Sequence, residues 1–225
     1  MKASVSLWSA DLMEVGTTGD RLTGVADGFH VDVVDGQFAP SLLFGPDFVR
    51  ALRGRTDAVL DVHLVVAEAD RWVETFAEAG ADVPTVYPES SSDLSATLEA
   101  IRALGTSPGV SVNLDYPMGP VREFADLVDR VLIMGTESGI KGASLDRRAL
   151  ERVGEVRQWQ GPEGRPEIYV DGGIRRHTVP EIALADADGV IQGSLIFDKE
   201  SWEEAVRWVH SQQDASQARN ARESS

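Results

Sequence analysis

The sequence contains no cysteine. That excludes a disulfide framework, a thiolate nucleophile and a cysteine-held zinc. Lysine is scarce, with only Lys2, Lys141 and Lys199 in 225 residues. Positive charge is scarce too: 21 Lys and Arg stand against 37 Asp and Glu, a net charge of −16. Such a chain is a poor partner for nucleic acid or an anionic membrane surface. It gives a phosphorylated ligand no help either, so any anion site must be built locally. Long apolar runs are missing, and none approaches the roughly 18 residues of a membrane span. The opening MKASVSLWSADLMEVG is broken by polar residues and does not read as a signal peptide. The expected setting is the cytoplasm.

What is present is alternation. Apolar, β-branched runs near 3–8, 28–34, 58–64, 83–87, 109–113, 130–134, 167–171 and 188–192 read as strands. Each is followed by a segment able to form a helix. In 69–79, Trp72, Phe76 and Ala79 fall on one face, with Gly80 as a C-cap. In 199–210, Trp202, Ala205, Val206 and Val209 form a stripe. About eight such units in some 210 residues fit a single α/β domain, a (β/α)8 TIM barrel, over 1–212. A doubly wound sheet needs fewer units, and no G-x-G-x-x-G opens the chain. The polar stretch 213–225 lacks periodicity and is expected to be disordered.

Four segments carry the chemistry: FHVDVVDG (29–36), DVHLVV (61–66), YVDGG (169–173) and IQGS (191–194). Side chains alternate along a strand, so His30 and Asp32 share a face, as do Asp61 and His63. Both pairs sit near the C-terminal ends of their runs, where a barrel carries its active site. Asp171 ends a third run. Together His30, Asp32, His63 and Asp171 offer two nitrogen and two oxygen donors, which suits one divalent metal: zinc, iron(II), manganese or cobalt. Asp61 is expected to support the ligands rather than bind. His177 and His210 read as solvated, and Asp35 and Gly36 as a structural turn. Gly172, Gly173, Gly193 and Ser194 follow the last two strands, where backbone can approach a phosphate closely.

In these segments the chain resembles the ribulose-phosphate 3-epimerase family. The family's Ser-Ile-Leu-Ser-Ala-Asp appears as Ser6-Leu7-Trp8-Ser9-Ala10-Asp11, its His-Val-Asp-Val-Met-Asp-Gly as HVDVVDG, and its Asp-Val-His-Leu-Met-Val as DVHLVV. Phe44-Gly45-Pro46, Ala-Gly-Ala-Asp at 79–82, Leu-Ile-Met at 132–134 and Val-Asp-Gly-Gly-Ile at 170–174 complete a match over about 3–210. The resemblance implies a metal-dependent 3-epimerase of a ketose phosphate: ribulose 5-phosphate to xylulose 5-phosphate, or a related sugar. It implies a metal on His30, Asp32, His63 and Asp171. It also implies proton transfer by Asp32 and Asp171 on opposite faces of a cis-enediolate. Ser6, His63 and Met134 would contact substrate, and the backbone at Gly172, Gly173, Gly193 and Ser194 would hold phosphate. A homo-oligomer, dimer or larger, is the implied assembly.

The departures lie around the pocket. The family's two site-lining methionines are Val34 and Val65 here, and its Thr-Val-His-Pro histidine is Tyr87. Its Asn-Pro-Gly-Phe-Gly-Gly-Gln loop is 137–143, with Glu137, Gly139, Lys141 and Gly142, which would cover the phosphate. Lys141 can pair with phosphate or stand in solvent. It also raises a rival reading, a Schiff-base aldolase, though a mobile loop is a poor place to desolvate a lysine. A decarboxylase or hexulose-phosphate synthase on the same barrel would need an Asp-x-Lys-x-x-Asp cluster, and no lysine follows a strand-end Asp. A non-catalytic phosphosugar-binding barrel is the remaining rival. Two acid/base carboxylates argue against it.

Overall fold

The computed structural model describes residues 1–138, 142–159, 166–197 and 201–223, with side chains described to residue 212. Eight parallel strands close on themselves: β1 (Lys2–Ser6), β2 (Gly28–Asp35), β4 (Val59–Val65), β5 (Val83–Val86), β6 (Gly109–Val112), β7 (Arg130–Met134), β8 (Glu167–Asp171) and β9 (Gly189–Gln192). Pairing of β1 with both β2 and β9 completes the ring. This is a (β/α)8 barrel. A two-residue strand β3 (Leu42–Leu43) adds antiparallel to the end of β2. The sequence gives no warning of it, because a strand that short has no period to read.

The strands of the ring are buried on both faces along most of their length, as a parallel sheet under helices requires. Outward-facing Phe29, Val31, Leu60, Val62, Val131 and Ile133 pack into one continuous apolar shell with the helices. The inward face is different. Ser4, Ser6, His30, Asp32, Asp61, His63, Thr85, Ser111 and Arg130 are all buried. A smaller apolar cluster of Val34, Val65, Tyr87, Leu132, Met134, Tyr169 and Ile191 sits among them. Buried polar groups survive only when they are paired. At the closed end, Arg130 bonds Glu167 at 2.8 Å and lies 4.2 Å over the Tyr169 ring; Lys2 also pairs with Glu167.

Local signals place the helices. The helix Val73–Ala79 ends at Gly80 with φ of 107°, a left-handed cap that only glycine adopts easily. Its buried residues are Val73, Phe76 and Ala79, while Trp72 is 42% exposed. Trp72 caps the start of this helix after a 3-10 turn at Ala69–Arg71; its ring lies 6.3 Å from that of buried Phe76, so it shares that face but sits at its exposed edge. In the last helix, Trp202–Glu223, Ala205, Val206 and Val209 are buried and Trp202 packs against the core, as the stripe predicts. This helix continues to Glu223, through most of the stretch expected to be disordered. Among the described residues no helix is long and apolar enough to cross a membrane.

Candidate active site

Strand register builds the site. Asp32 on β2 stands beside His63 on β4, and His30 beside Asp61. Ser6 on β1 stands beside His30. On the other side of the barrel Asp171 ends β8, beside Met134 and Ile191. Ser6, Asp32, His63 and Asp171 converge on a cavity at the C-terminal end of the strands, with His30 and Asp61 deeper in the barrel. His30, Asp32, His63 and Asp171 each offer one ligand atom, and these atoms lie within 4.8 Å of one another.

The histidines are held differently. His30 is fully buried, with Nδ1 3.0 Å from Asp61 and Nε2 3.2 Å from Asp32. Asp61 accepts from Thr85 at 2.8 Å and lies 3.6 Å from Arg130. It therefore orients His30 from behind, the usual partner of a ligating imidazole. Among the described residues, neither ring nitrogen of buried His63 has a hydrogen-bond partner; Nδ1 is 3.5 Å from Asp32 Oδ1. Leaving a buried polar group unsatisfied costs about 1–3 kcal/mol. A cation between these side chains would remove that cost, so the donor set fits a divalent metal.

The electrostatics point the same way. Burial disfavours charge on His30, but Asp32 and Asp61 outweigh it and raise its pKa well above the ordinary value. That field attracts a proton or any other cation. Burial also opposes ionisation of Asp32, yet His30 and His63 overcome it and hold the carboxyl far below its usual range. Asp171 is pushed up to about 6, chiefly by burial and further by the Asp32 charge, although His30 and His63 pull the other way. Two carboxyls with opposite shifts in one site are a recurrent acid/base arrangement.

Above the cluster opens a cavity of about 330 Å³. Its lining includes Ser6, Asp32, His63, Met134, Asp171, Gly142, Gly172, Gly173, Gly193 and Ser194, all expected from sequence. Val34 and Val65 form part of its wall. Ser6 Oγ donates to Asp32 at 3.2 Å. His30 lies beneath the cavity rather than in its lining. Gly139 and Lys141 lie outside the described residues. Gly172 and Gly173 have φ of 91° and 70°, and a Cβ on Gly173 would fall 2.3 Å from Leu145 N.

Several contributors escape the sequence reading. Trp8 and Ser9 enter the cavity because β1 stops at Ser6 and a 3-10 turn over Leu7–Ser9 redirects the chain. Phe197 and Arg175 also line it. For Arg175 a signal existed: it is a cation four residues beyond Asp171, directly after Gly-Gly-Ile. Of the residues set aside, His177 is exposed, and His210 pairs with Asp27 at 2.8 Å rather than standing free. Asp35 is structural, accepting from the backbone of Gln37, Phe38 and Ala67 at 2.8–2.9 Å.

Comparison with known proteins identifies the family. The model described as "Ribulose-phosphate 3 epimerase family" matches residues 2–197. The chain belongs to the ribulose-phosphate 3-epimerase family. The ribulose-phosphate 3-epimerase of Bacillus subtilis is 34% identical over 209 residues, covering 92% of this chain and 96% of that protein. The Escherichia coli K12 ribulose-phosphate 3-epimerase is 34% identical over 210 residues, covering 92% and 93%. Membership makes the chain an epimerase, an isomerase acting on carbohydrates. By fold it superposes on the 3-hexulose-6-phosphate synthase of Salmonella typhimurium, with a TM-score of 0.72, 19% identity, and coverage of 96% and 100%. At that identity the likeness speaks for the barrel alone.

Proposed function

We propose that the protein is a metal-dependent 3-epimerase interconverting ribulose 5-phosphate and xylulose 5-phosphate. The observation that carries this is the donor cluster itself. Two imidazoles and two carboxylates stand within 4.8 Å on the cavity floor, with the carboxylates on β2 and β8. The relatives are named ribulose-phosphate 3-epimerases, and one from Arabidopsis thaliana a ribulose-5-phosphate-3-epimerase, which supports ribulose 5-phosphate as substrate.

The C3 proton lies next to the C2 ketone. One carboxylate, Asp32 or Asp171, removes it and leaves an enediolate; the other delivers a proton to the opposite face. A single group would tend to return the proton where it found it. Reversal exchanges the roles, so each carboxylate is base in one direction and acid in the other. A divalent ion held by His30, Asp32, His63 and Asp171 would supply the positive charge that offsets the developing negative charge. The mixed nitrogen and oxygen donors suit zinc, iron(II), manganese or cobalt. Asp61 keeps the His30 ring in place, and Ser6 keeps Asp32 turned into the cavity. Met134, Val34 and Val65 wall the sugar. Gly172, Gly173, Gly193 and Ser194 receive the phosphate through their backbone, with Gly142 in the cavity wall.

The test is deuterium incorporation at C3 in D₂O, followed by NMR, with metal-loaded and chelated protein. Exchange on ribulose 5-phosphate should require the metal and collapse in His63→Ala. Full exchange in chelated protein or in His63→Ala would overturn the metal-dependent mechanism. No exchange on ribulose 5-phosphate in loaded protein would overturn the substrate.

A further inference from the structure

We infer that Arg175 is the cation that binds the substrate's phosphate, a role that rests on reading the cavity as a ketose-phosphate site. Among the described lining residues, Arg175 alone carries positive charge, and Asp32, Glu137 and Asp171 carry negative charge. On a chain of net charge −16, a phosphate dianion entering that cavity meets repulsion unless a local cation receives it. The glycine backbone and the hydroxyls nearby offer donors but no full charge.

The side chain is placed and largely uncommitted. Its backbone N–H donates to Thr178 Oγ1 at 2.8 Å. The same hydroxyl donates to Gly173 O at 2.9 Å, so Thr178 ties Arg175 to the Gly172–Gly173 turn. Arg175 Nη1 donates to Ile174 O at 2.8 Å, and the guanidinium takes part in no ion pair among the described residues. One donor of five is used; the remainder of the planar fork suits a phosphate. Elsewhere in the chain, arginines near acids pair with them, as Arg147 does with Glu181 and Arg157 with Asp188. Adjacent Arg176 makes the contrast sharp. It is exposed and lies 4.7 Å over the Trp208 ring, away from the cavity lining.

Arg175→Met, Arg175→Lys and Arg176→Met test the assignment. Arg176→Met changes net charge equally, so it controls for the general field. The readouts are kcat/KM for ribulose 5-phosphate, kcat/KM for unphosphorylated ribulose, and calorimetric binding of inorganic phosphate. Arg175→Met should lower kcat/KM for the phosphorylated sugar by about 10- to 100-fold and weaken phosphate binding similarly. Unphosphorylated ribulose should be turned over as before. Arg175→Lys, which keeps charge but loses the fork, should fall between, and Arg176→Met should match wild type. Equal losses on both sugars, no loss on either, or the same loss in Arg176→Met would overturn the assignment. If wild type turns over neither sugar, the epimerase reading fails while phosphate calorimetry still decides Arg175. If Arg175→Met does not fold, Arg175→Lys decides: unchanged phosphate affinity would overturn the fork geometry.

Discussion

The two sides of the barrel mouth are built from different materials. Around β2 and β4, the proposed function rests on side chains standing on strands: His30, Asp32 and His63, with Asp61, Thr85 and Arg130 packed behind them. Around β7, β8 and β9 it rests mainly on backbone: Gly172 and Gly173 in left-handed conformations, pressed against Thr136 and Leu145. The difference follows from the two tasks. Moving a proton at one carbon needs side-chain atoms held to fractions of an ångström, which strands with supporting hydrogen bonds provide. Holding an anion needs exposed N–H groups, which turns provide. Asp171 joins the two sides, a carboxylate of the proposed proton-transfer pair at the end of a strand that runs straight into the glycine turn.

The comparison breaks most directly at the reacting carboxylates. Asp32→Asn should lower C3 exchange by about 10²–10⁴-fold, the usual weight of a positioned acid/base group. A drop below about tenfold, read by NMR in D₂O on folded protein, would mean that the strand side is not where the proton moves. On the backbone side the expected damage is to the fold. At Gly173, φ is 70° and an added Cβ would meet Leu145 N at 2.3 Å and its Cα at 2.5 Å. Gly173→Ala should cost about 2–4 kcal/mol, from left-handed strain plus overpacking. Chemical denaturation measures it. A change below about 0.5 kcal/mol would show that this turn yields easily and is not a preformed cradle.

The same contrast explains what is legible in the sequence. His30, Asp32, Asp61 and His63 alternate on two strands, and period-two alternation alone fixes the face they share. Apart from β1, the approximate strand ends follow from equally local rules, as do the eightfold repeat and the Gly80 cap. Trp72, Trp8 and Arg175 do not. Trp72 stays half-exposed because it stands at the helix start, after a 3-10 turn, and Trp8 reaches the cavity because another such turn ends β1 early. Arg175 sits in a turn whose direction is set by Thr178, three residues on, and turns have no period from which to infer direction. β-strand chemistry is legible because it repeats; rim chemistry depends on single contacts.

Tyr87 tests whether the two sides are separable. Its ring lies 5.0 Å from that of His63 and stacks at 4.7 Å on Phe38, so its body belongs to the strand side. Its hydroxyl lies 2.5 Å from Ser138 Oγ, in the connection after β7, and Ser138 donates to Asn113 at 2.7 Å. Burial raises the Tyr87 pKa far above neutrality, so the phenol keeps its proton and remains a hydrogen-bond donor. Tyr87→Phe deletes the link and keeps the ring. Losing one such bond is worth about 1 kcal/mol, so KM for ribulose 5-phosphate should rise about 3- to 10-fold. Neither kcat nor the metal requirement should change, because His63 keeps its neighbour. If kcat falls while KM holds, the hydroxyl is felt at the proton-transfer site, and the division between a side built of strand side chains and a side built of backbone is wrong at the residue that touches both.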